Sequence, residues 1–256
     1  MPYKNYCELP TPHGTFRMYD TGNELLRVVT FGDINKLGSK PIVRLHSSCL
    51  ASEVFEARDC DCADQLREAM KVMAHDGSGI IFHLHQEGRG QGLSKKIQAV
   101  YKMQTEALDT VESFQAMGLE QDIRDYAPAI KVLKKIAIEQ VRLVSNNPRK
   151  RRALEQAGIA VEVVNTHPQV RHENADYLQS KNDKLGTICL WASNMIIPAQ
   201  FTFIILTKPG GSFPTSRNMP FIYITKFGVQ LSIFIKLKSL VILHYKSVFA
   251  LLRARC

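Results

Sequence analysis

The chain has 256 residues, of which 45% are apolar and 22% charged, as in an ordinary soluble globular protein with one or two domains. Its formal net charge of +9 suggests a nucleic-acid partner, but residues 1–183 carry 24 basic and 24 acidic side chains, whereas residues 184–256 carry nine basic and no acidic ones. We therefore expect no nucleic-acid partner for the balanced first part, and we interpret the two parts separately.

The N-terminal sequence MPYKNYCELPTPHGTF carries charges and prolines where a secretion signal needs an apolar run. We therefore expect a cytoplasmic protein. In that reducing compartment, clustered cysteines bind metal or react more often than they form disulfides. A disulfide is accordingly the least favoured explanation for the cysteines described below.

Strand and helix patterns alternate along residues 1–183. The predicted strands are IVRLHS (42–47), GIIFHLH (79–85), QVRLVS (140–145) and IAVEVV (159–164). The predicted helices are DQLREAMKVMAHDG (64–77), PAIKVLKKIAI (128–138) and a helix with Pro148 in its first turn. Such alternation predicts an α/β domain, which we place at residues 1–186.

Two residues carry signals for helix ends. Gly77 suits the C-terminal cap of the first predicted helix, because glycine adopts the left-handed conformation easily. After the Gly-rich segment QEGRGQG (86–92), which predicts a loop, Ser94 is a candidate N-cap of a further helix.

Residues 187–256 differ from the rest in composition. The run TICLWASNMIIPAQFTFIILT contains 21 uncharged residues and is just long enough to span a bilayer, although Asn194, Pro198 and Gln200 interrupt it. We expect an atypical C-terminal extension without catalytic function, either poorly ordered or packed on the main domain, and a membrane anchor is the alternative.

Three of the six cysteines lie in CLASEVFEARDCDC (49–62). Cys60 and Cys62 point the same way if the segment is extended or a turn, and Cys49 arrives from the loop after RLHSS. A catalytic zinc has three protein ligands and a position open for water, whereas a structural zinc has four. Both alternatives stay open on spacing alone, and cysteines buried in the core without a metal are a third, less favoured one. The fourth ligand of a closed site would be His46, His83 or His85.

Three further segments suit a phosphorylated ligand. HQEGRGQG combines a carboxylate, Glu87, with Arg89 and three glycines, so that main-chain N–H groups can approach an anion. NNPRKRR places basic residues 149–152 in the first turn of a helix, where a bound phosphate would offset their charge. DIRDY sets Asp122, a candidate proton carrier, beside Arg124, a candidate phosphate clamp. The alternatives are a solvated basic patch and a surface ion pair.

The segments RLHSSCLASEVFEARDCDCADQL, HQEGRGQGL, LDTVE, DIRDY and SNNPRK, in this order, resemble the GTP cyclohydrolase II family of riboflavin biosynthesis. The resemblance covers roughly residues 8–183. It implies a single catalytic domain with a mixed sheet flanked by helices. The implied reaction hydrolyses GTP to a diaminopyrimidine ribosylamine phosphate, formate and diphosphate. The resemblance also implies one zinc ion per chain, Mg²⁺ with the triphosphate, and a homodimer.

The same resemblance assigns roles to single residues. Cys49, Cys60 and Cys62 match the zinc ligands, Asp122 matches the residue that transfers a proton, and Arg124 matches the proposed nucleophile at the α-phosphate. The positions that match contacts to GTP are Arg44, Leu45, His46, Ser47, Ser48, Gln65, Glu87, Gly88, Arg89, Thr110, Ser145 and Lys150.

The chain departs from the family pattern at three places, two of which are among the positions just given. Ser48 stands where the family commonly has Glu, and Ser145 replaces a common Thr. Val100 stands where a functional Tyr is usual, and Tyr101, one place along a helix, is turned by about 100°.

With these departures noted, the resemblance predicts a zinc-dependent GTP cyclohydrolase. The alternatives are a GTP-binding homologue without turnover and an enzyme that stops at the formamidopyrimidine intermediate.

Overall fold

The computed structural model describes residues 3–167, 169–187, 203–204, 221–226 and 229–234. The chain divides into two units, Met1–Asn194 and Met195–Cys256. Most of the uncharged run that begins at Thr187 lies outside the described residues, and the boundary expected near residue 187 stays a prediction. Among the described residues, no helix combines the length and the apolar character needed to span a bilayer.

A mixed seven-stranded sheet forms the centre of the first unit, which confirms the predicted α/β class. Its strands are β1 (Tyr6–Thr11), β2 (Gly14–Tyr19), β3 (Leu26–Phe31), β4 (Ile42–Ser47), β5 (Gly79–Leu84), β6 (Gln140–Val144) and β7 (Ala160–Val164). They lie in the order β1-β2-β3-β5-β4-β6-β7. The first three strands and β5 pair antiparallel, whereas β5, β4, β6 and β7 run parallel.

In the part of the chain that the structure describes, seven α-helices connect or flank these strands. They are α1 (Leu50–Glu53), α2 (Cys62–Asp76), α3 (Leu93–Glu106), α4 (Glu112–Ala116), α5 (Ala127–Lys135), α6 (Pro148–Gln156) and α7 (Ala175–Leu185). Short 3₁₀ segments cover Ile34–Lys36, Gly88–Gly90 and His172–Asn174. In the second unit, the described strands β8 (Phe203–Ile204), β9 (Phe221–Lys226) and β10 (Val229–Phe234) form an antiparallel ladder.

The helix-end predictions have different outcomes. Gly77 ends α2 in the left-handed conformation with φ 79°, as predicted, and Pro148 is the first residue of α6. The N-cap prediction for Ser94 is wrong. The preceding residue Gly92, with φ 91°, is the N-cap of α3, so the helix begins at Leu93 and already includes the serine. The Gly-rich loop therefore leads directly into the helix without a side-chain cap from the serine.

The side chains of strand β4 point to both faces of the sheet, and one of them, Arg44, belongs to the site. Val43 and Leu45 lie in the core shared with α5 and α6, and Ile42 lies in the core shared with α2. Because side chains alternate along a strand, Arg44 points to the same side as Ile42, towards α2. The carboxyl end of this parallel strand is also where ligands bind in α/β sheets.

We expect the first unit to fold without the second. Thr187 is buried, and its N–H donates to the carbonyl of Lys181, so a chain that ends at Asn194 keeps the whole of α7. It should unfold in one cooperative transition in urea, followed by circular dichroism, with its midpoint close to that of the corresponding transition in the full chain. A chain that ends at residue 170 lacks α7 and should unfold at lower urea. Loss of the transition in the chain that ends at Asn194 would contradict this expectation.

Candidate active site

Three thiols meet at the start of α2. The sulfur atoms of Cys49, Cys60 and Cys62 all lie within 4.8 Å of one another, and those of Cys49 and Cys60 are 3.8 Å apart. Cys49 immediately precedes α1, Cys60 lies in the bend before α2, and Cys62 is the first residue of α2. Among the described residues, no histidine joins this group. The arrangement is therefore a three-sulfur set.

The thiols differ in acidity because they crowd one another. Hydrogen bonds from the other two thiols, together with the ammonium of Lys96 at 3.0 Å, lower the pKa of Cys49 to about 2, although burial opposes ionisation. The adjacent Cys49 sulfur raises the pKa of Cys60 to about 11, and its hydrogen bond also raises the pKa of Cys62. The protein's own groups thus support one thiolate, and a soft divalent cation would stabilise all three. This donor set fits zinc.

Lys96 and Glu87 form an ion pair beside Cys49. The Lys96 ammonium lies 2.6 Å from one carboxylate oxygen of Glu87, and the N–H of Leu50 donates to the other at 2.9 Å. Glu87 is buried, so the predicted contact to GTP would require this carboxylate to exchange a partner. Sequence reasoning did not identify Lys96, because it lies on α3 and meets Cys49 across 47 residues.

Glu53 fixes the main chain of the first cysteine. Its Oε1 accepts the N–H of Cys49 at 2.6 Å, and its two oxygens bind Nε2 of His46 at 2.9 Å and of His83 at 2.8 Å. Burial lowers the pKa of His46 to about 4, so this histidine is neutral at physiological pH. The two histidines considered as fourth zinc ligands therefore bind a carboxylate instead. His85, the third, is exposed.

A chain of hydrogen bonds links the segment of residues 60–62, called the metal loop below, to strand β4 of the sheet. Asp61 lies between two of the cysteines and accepts a hydrogen bond from Gln65 Nε2 at 2.5 Å. Gln65 Oε1 in turn accepts one from Arg44 Nη2 at 2.6 Å. Arg44 is buried, and burial lowers its pKa, while its Nε has no partner among the described residues. One donor of this arginine is thus available for a ligand.

Lys150 adds a second buried cation. Only 5% of it is exposed, and its ammonium has no hydrogen bond or ion pair among the described residues. Burial lowers its pKa well below the usual value, and the charges of Arg44 and Arg124 lower it further. An isolated buried ammonium is unfavourable unless it is paired. The first turn of α6 therefore has the electrostatic character of a site for an anion.

Asp122 and Arg124 form a bidentate ion pair. Nε of Arg124 lies 2.9 Å from one oxygen of Asp122, and Nη2 lies 2.6 Å from the other. Although burial opposes both charges, this pair raises the pKa of Arg124 and lowers that of Asp122. Arg149 also contacts the same carboxylate, at 3.1 Å. Asp125 does not contribute, because its carboxylate accepts the N–H of Ala127 at the start of α5.

The Gly-rich loop is joined to the Asp122–Arg124 segment. Arg89 Nη2 donates to the Thr110 hydroxyl at 2.9 Å, and the Arg89 carbonyl accepts the N–H of Ile123. A Cβ at Gly90, which has φ 94°, would lie 2.8 Å from a side-chain carbon of Ile123, so only glycine allows this approach. Gly88, with φ 59°, allows the same loop to pass Lys96.

The remaining predicted ligand contacts involve one residue with a buried side chain, Leu45, and the hydroxyl groups of three serines. The side chain of Leu45 is fully buried in the core, so a contact to a ligand would come from its main chain. Ser47 accepts a hydrogen bond from Gln86, and Ser145 accepts one from the N–H of Asn147. The hydroxyl of Ser48 is buried without a partner among the described residues. All of these contacts stay predictions.

The helix α3 brings no phenol to this site. Tyr101 is 64% exposed, and Val100 carries no polar atom. Two other tyrosines interact electrostatically with the site arginines. They are Tyr126, whose hydroxyl is buried without a partner among the described residues, and Tyr177 of α7. Sequence reasoning did not identify either, because neither belongs to a metal- or phosphate-binding pattern.

Fold and site together define an α/β domain in which three thiols that could hold a metal ion lie beside buried basic side chains. The family model for GTP cyclohydrolase II matches residues 3–167. The chain belongs to the GTP cyclohydrolase II family of enzymes.

Three relatives illustrate the extent of the similarity. GTP cyclohydrolase-2 of Neisseria meningitidis serogroup A is 42% identical over 188 residues, which cover 72% of this chain and 94% of that protein. Riboflavin biosynthesis protein VVA0006 of Vibrio vulnificus is 43% identical and RibBA of Bacillus subtilis 40%; each match covers 70% of this chain, but 50% and 46% of the relative. The chain thus spans about half the length of the latter two.

Replacing the unpaired ammonium should stabilise the protein while weakening anion binding. At neutral pH we expect Lys150→Met to raise the free energy of unfolding by about 1 kcal/mol. Because the folded-state pKa is lowered, the gain should shrink as the pH rises towards the unfolded value of about 10.4. Urea unfolding at pH 7 and pH 10 measures this.

The same variant should bind GTP at least about tenfold more weakly in the presence of a chelator, as measured by calorimetry. Lys131→Met is the matched control, because this lysine is exposed on α5. Unchanged GTP affinity in Lys150→Met, with the control also unchanged, would contradict an anion site at α6.

Proposed function

We propose that the chain hydrolyses GTP with zinc, opening the imidazole ring of guanine and yielding 2,5-diamino-6-(5-phosphoribosylamino)pyrimidin-4(3H)-one, formate and diphosphate. The observation that carries the proposal is the proximity of a three-thiol set to buried cations in a member of this family. The first suits a metal with an open position, and the second suits a triphosphate. We further propose Mg²⁺ with the triphosphate, a homodimer and a cytoplasmic location, all of which rest on the family resemblance.

In this proposal, Cys49, Cys60 and Cys62 hold the zinc. When bound, zinc would lower the pKa of a water molecule and so supply a nucleophile at neutral pH. Lys96 stabilises the thiolate of Cys49, and Glu53 holds the main chain of that residue in place. The chain's own contribution is thus to gather and orient the ligands before substrate arrives.

The buried cations hold the phosphates. Arg44 has a donor without a partner among the described residues, and the ammonium of Lys150 has no ion pair there either. Arg89 and Thr110 meet at the Gly-rich loop, where main-chain N–H groups accompany the guanidinium. A triphosphate bound among these groups would neutralise charge that the protein leaves uncompensated.

Arg124 acts as a phosphate clamp in this proposal and not as the nucleophile. A nucleophilic guanidinium must lose its proton, whereas the bidentate pair with Asp122 raises the pKa of Arg124. A phosphate could replace the carboxylate at the same two donors. Asp122 would then be released to accept the proton of a water molecule that attacks the α-phosphorus as diphosphate leaves, which agrees with its assignment from the resemblance as the residue that transfers a proton.

A second outcome, release of the formamidopyrimidine intermediate, is favoured by one observation. Val100 stands where the family usually has tyrosine, and the neighbouring Tyr101 is exposed. Mass spectrometry of the products from GTP distinguishes the two outcomes, because only the complete reaction releases formate and the smaller pyrimidine.

The purified protein should contain about one zinc per chain, with three sulfur ligands and one lighter atom in X-ray absorption spectra. Cys60→Ser should abolish formate release, because the remaining ligands no longer hold the metal. A fourth sulfur in the spectrum would contradict an open site. Cys7→Ser is the matched control, since this cysteine is exposed and outside the group.

The role of Arg124 is tested by measuring the release of diphosphate and the release of formate separately. If it is a clamp, Arg124→Lys should retain part of the diphosphate release, because a positive charge remains although the two-pronged contact is lost. Arg124→Ala should release no diphosphate. Cys60→Ser should still release diphosphate without formate, since that bond cleavage uses other residues. Equal loss of both products in Cys60→Ser, with GTP binding intact, would show that the two steps depend on one centre.

A further inference from the structure

The helix α7 lies beyond the residues matched by the family model and yet contacts the metal loop. The match ends at residue 167, whereas α7 spans Ala175–Leu185. On α7, Lys181 pairs with Asp61, and Lys184 pairs with Asp109 and Glu112 near Thr110. The segment after residue 167 is thus attached both to the metal loop and to the loop that carries a predicted GTP contact.

We propose that Lys181 is a positioning residue for the metal site. It fixes the Cys60–Asp61–Cys62 turn and, through Asp61 and Gln65, the buried guanidinium of Arg44. This inference rests on the proposed zinc function. It assigns a role to a residue of α7, which none of the metal- or phosphate-binding patterns includes.

The first step of the argument is the burial of the ion pair. The ammonium of Lys181 lies 2.9 and 3.1 Å from the two oxygens of Asp61. The Asp61 side chain is 1% exposed and that of Lys181 is 13% exposed. Exposed pairs contribute little, but removing one member of a buried pair leaves an uncompensated charge. The position of the Asp61 carboxylate therefore depends on Lys181.

The second step is the location of Asp61. Its neighbours on both sides in the chain are the proposed metal ligands Cys60 and Cys62, so the residue that Lys181 holds belongs to the turn that carries both sulfurs. The same carboxylate accepts the hydrogen bond from Gln65, which in turn holds Arg44. One lysine is thus coupled to two metal ligands and to a buried arginine.

The third step concerns how Lys181 is itself held. Its ammonium lies 5.1 Å from the centre of the Tyr177 ring, one turn earlier on α7. A cation over an aromatic ring is attracted to it, so ring and carboxylate together define the position of the ammonium. The C-terminal end of α7 is closed by Gly186, whose N–H donates to the carbonyl of Lys181.

The experiment compares Lys181→Met, Lys181→Arg and Lys131→Met in the full chain. Zinc dissociation constants are measured by competition with a chromogenic chelator. Loss of a residue that orients metal ligands typically lowers metal affinity by about 10–100-fold, and we expect this for Lys181→Met. Lys181→Arg keeps the charge and should recover most of the affinity, whereas Lys131→Met, on the surface of α5, should equal the wild type. A wild-type affinity in Lys181→Met would overturn the proposal.

A second measurement separates this inference from the proposed function. Amide hydrogen exchange of residues 60–65 in the metal-free protein should be faster in Lys181→Met than in the wild type, and close to the wild type in Lys181→Arg. Unchanged exchange would overturn the role of Lys181 whether or not the wild type binds zinc. Absence of zinc from the wild type would instead overturn the proposed function. If Lys181→Met does not fold, Lys181→Gln is measured instead, because its amide nitrogen can still donate hydrogen bonds but carries no charge. This variant should show an intermediate loss in both measurements. Wild-type zinc affinity together with wild-type exchange would overturn the proposal.

Discussion

Uncompensated positive charge at the carboxyl ends of the parallel strands is the constraint on which this site depends. Arg44 and Lys150 are buried, and burial lowers the pKa of both. Arg124 adds to the same field, although its own charge is paired with Asp122. Like charges in a region of low dielectric repel strongly, and the hydrogen bonds of Arg44 to Gln65 and to the carbonyl of Val144 help to hold this group in place. In the proposed function, binding of the triphosphate would relieve this repulsion.

The nearby carboxylates do not remove that excess, because each has a specific partner. Glu53 binds two histidines, Glu87 binds Lys96, and Asp122 binds Arg124. These pairs place the three carboxylates beside a proposed metal ligand or a proposed phosphate-binding loop. In the proposed function, the acidic groups orient the site, and the substrate would neutralise Arg44 and Lys150.

The sequence predicted the parts of the fold whose signals are local. The strands β4 and β5 and the helix α2 have strong apolar patterns, and Cys60 and Cys62 are close in the chain. The strands β1 to β3 were not predicted; β1 is largely exposed and has no apolar face to reveal it, whereas the alternating burial of β3 shows that its signal was overlooked. The site partners Lys96 and Lys181 were also missed. They meet Cys49 and Asp61 across 47 and 120 residues, so only the folded sheet brings them together.

The absence of a phenol at position 100 changes which groups can serve the ring-opening chemistry. Tyr126 and Tyr177 are the tyrosines that interact with the charges of Arg124. Burial raises the pKa of both, so each remains a neutral phenol and can donate a hydrogen bond without acting as a base at neutral pH. The proposed function therefore assigns proton removal to Asp122, whose pKa is low and whose release would require Arg124 to turn to a phosphate. In this scheme, phosphate binding and proton transfer are coupled through a single ion pair.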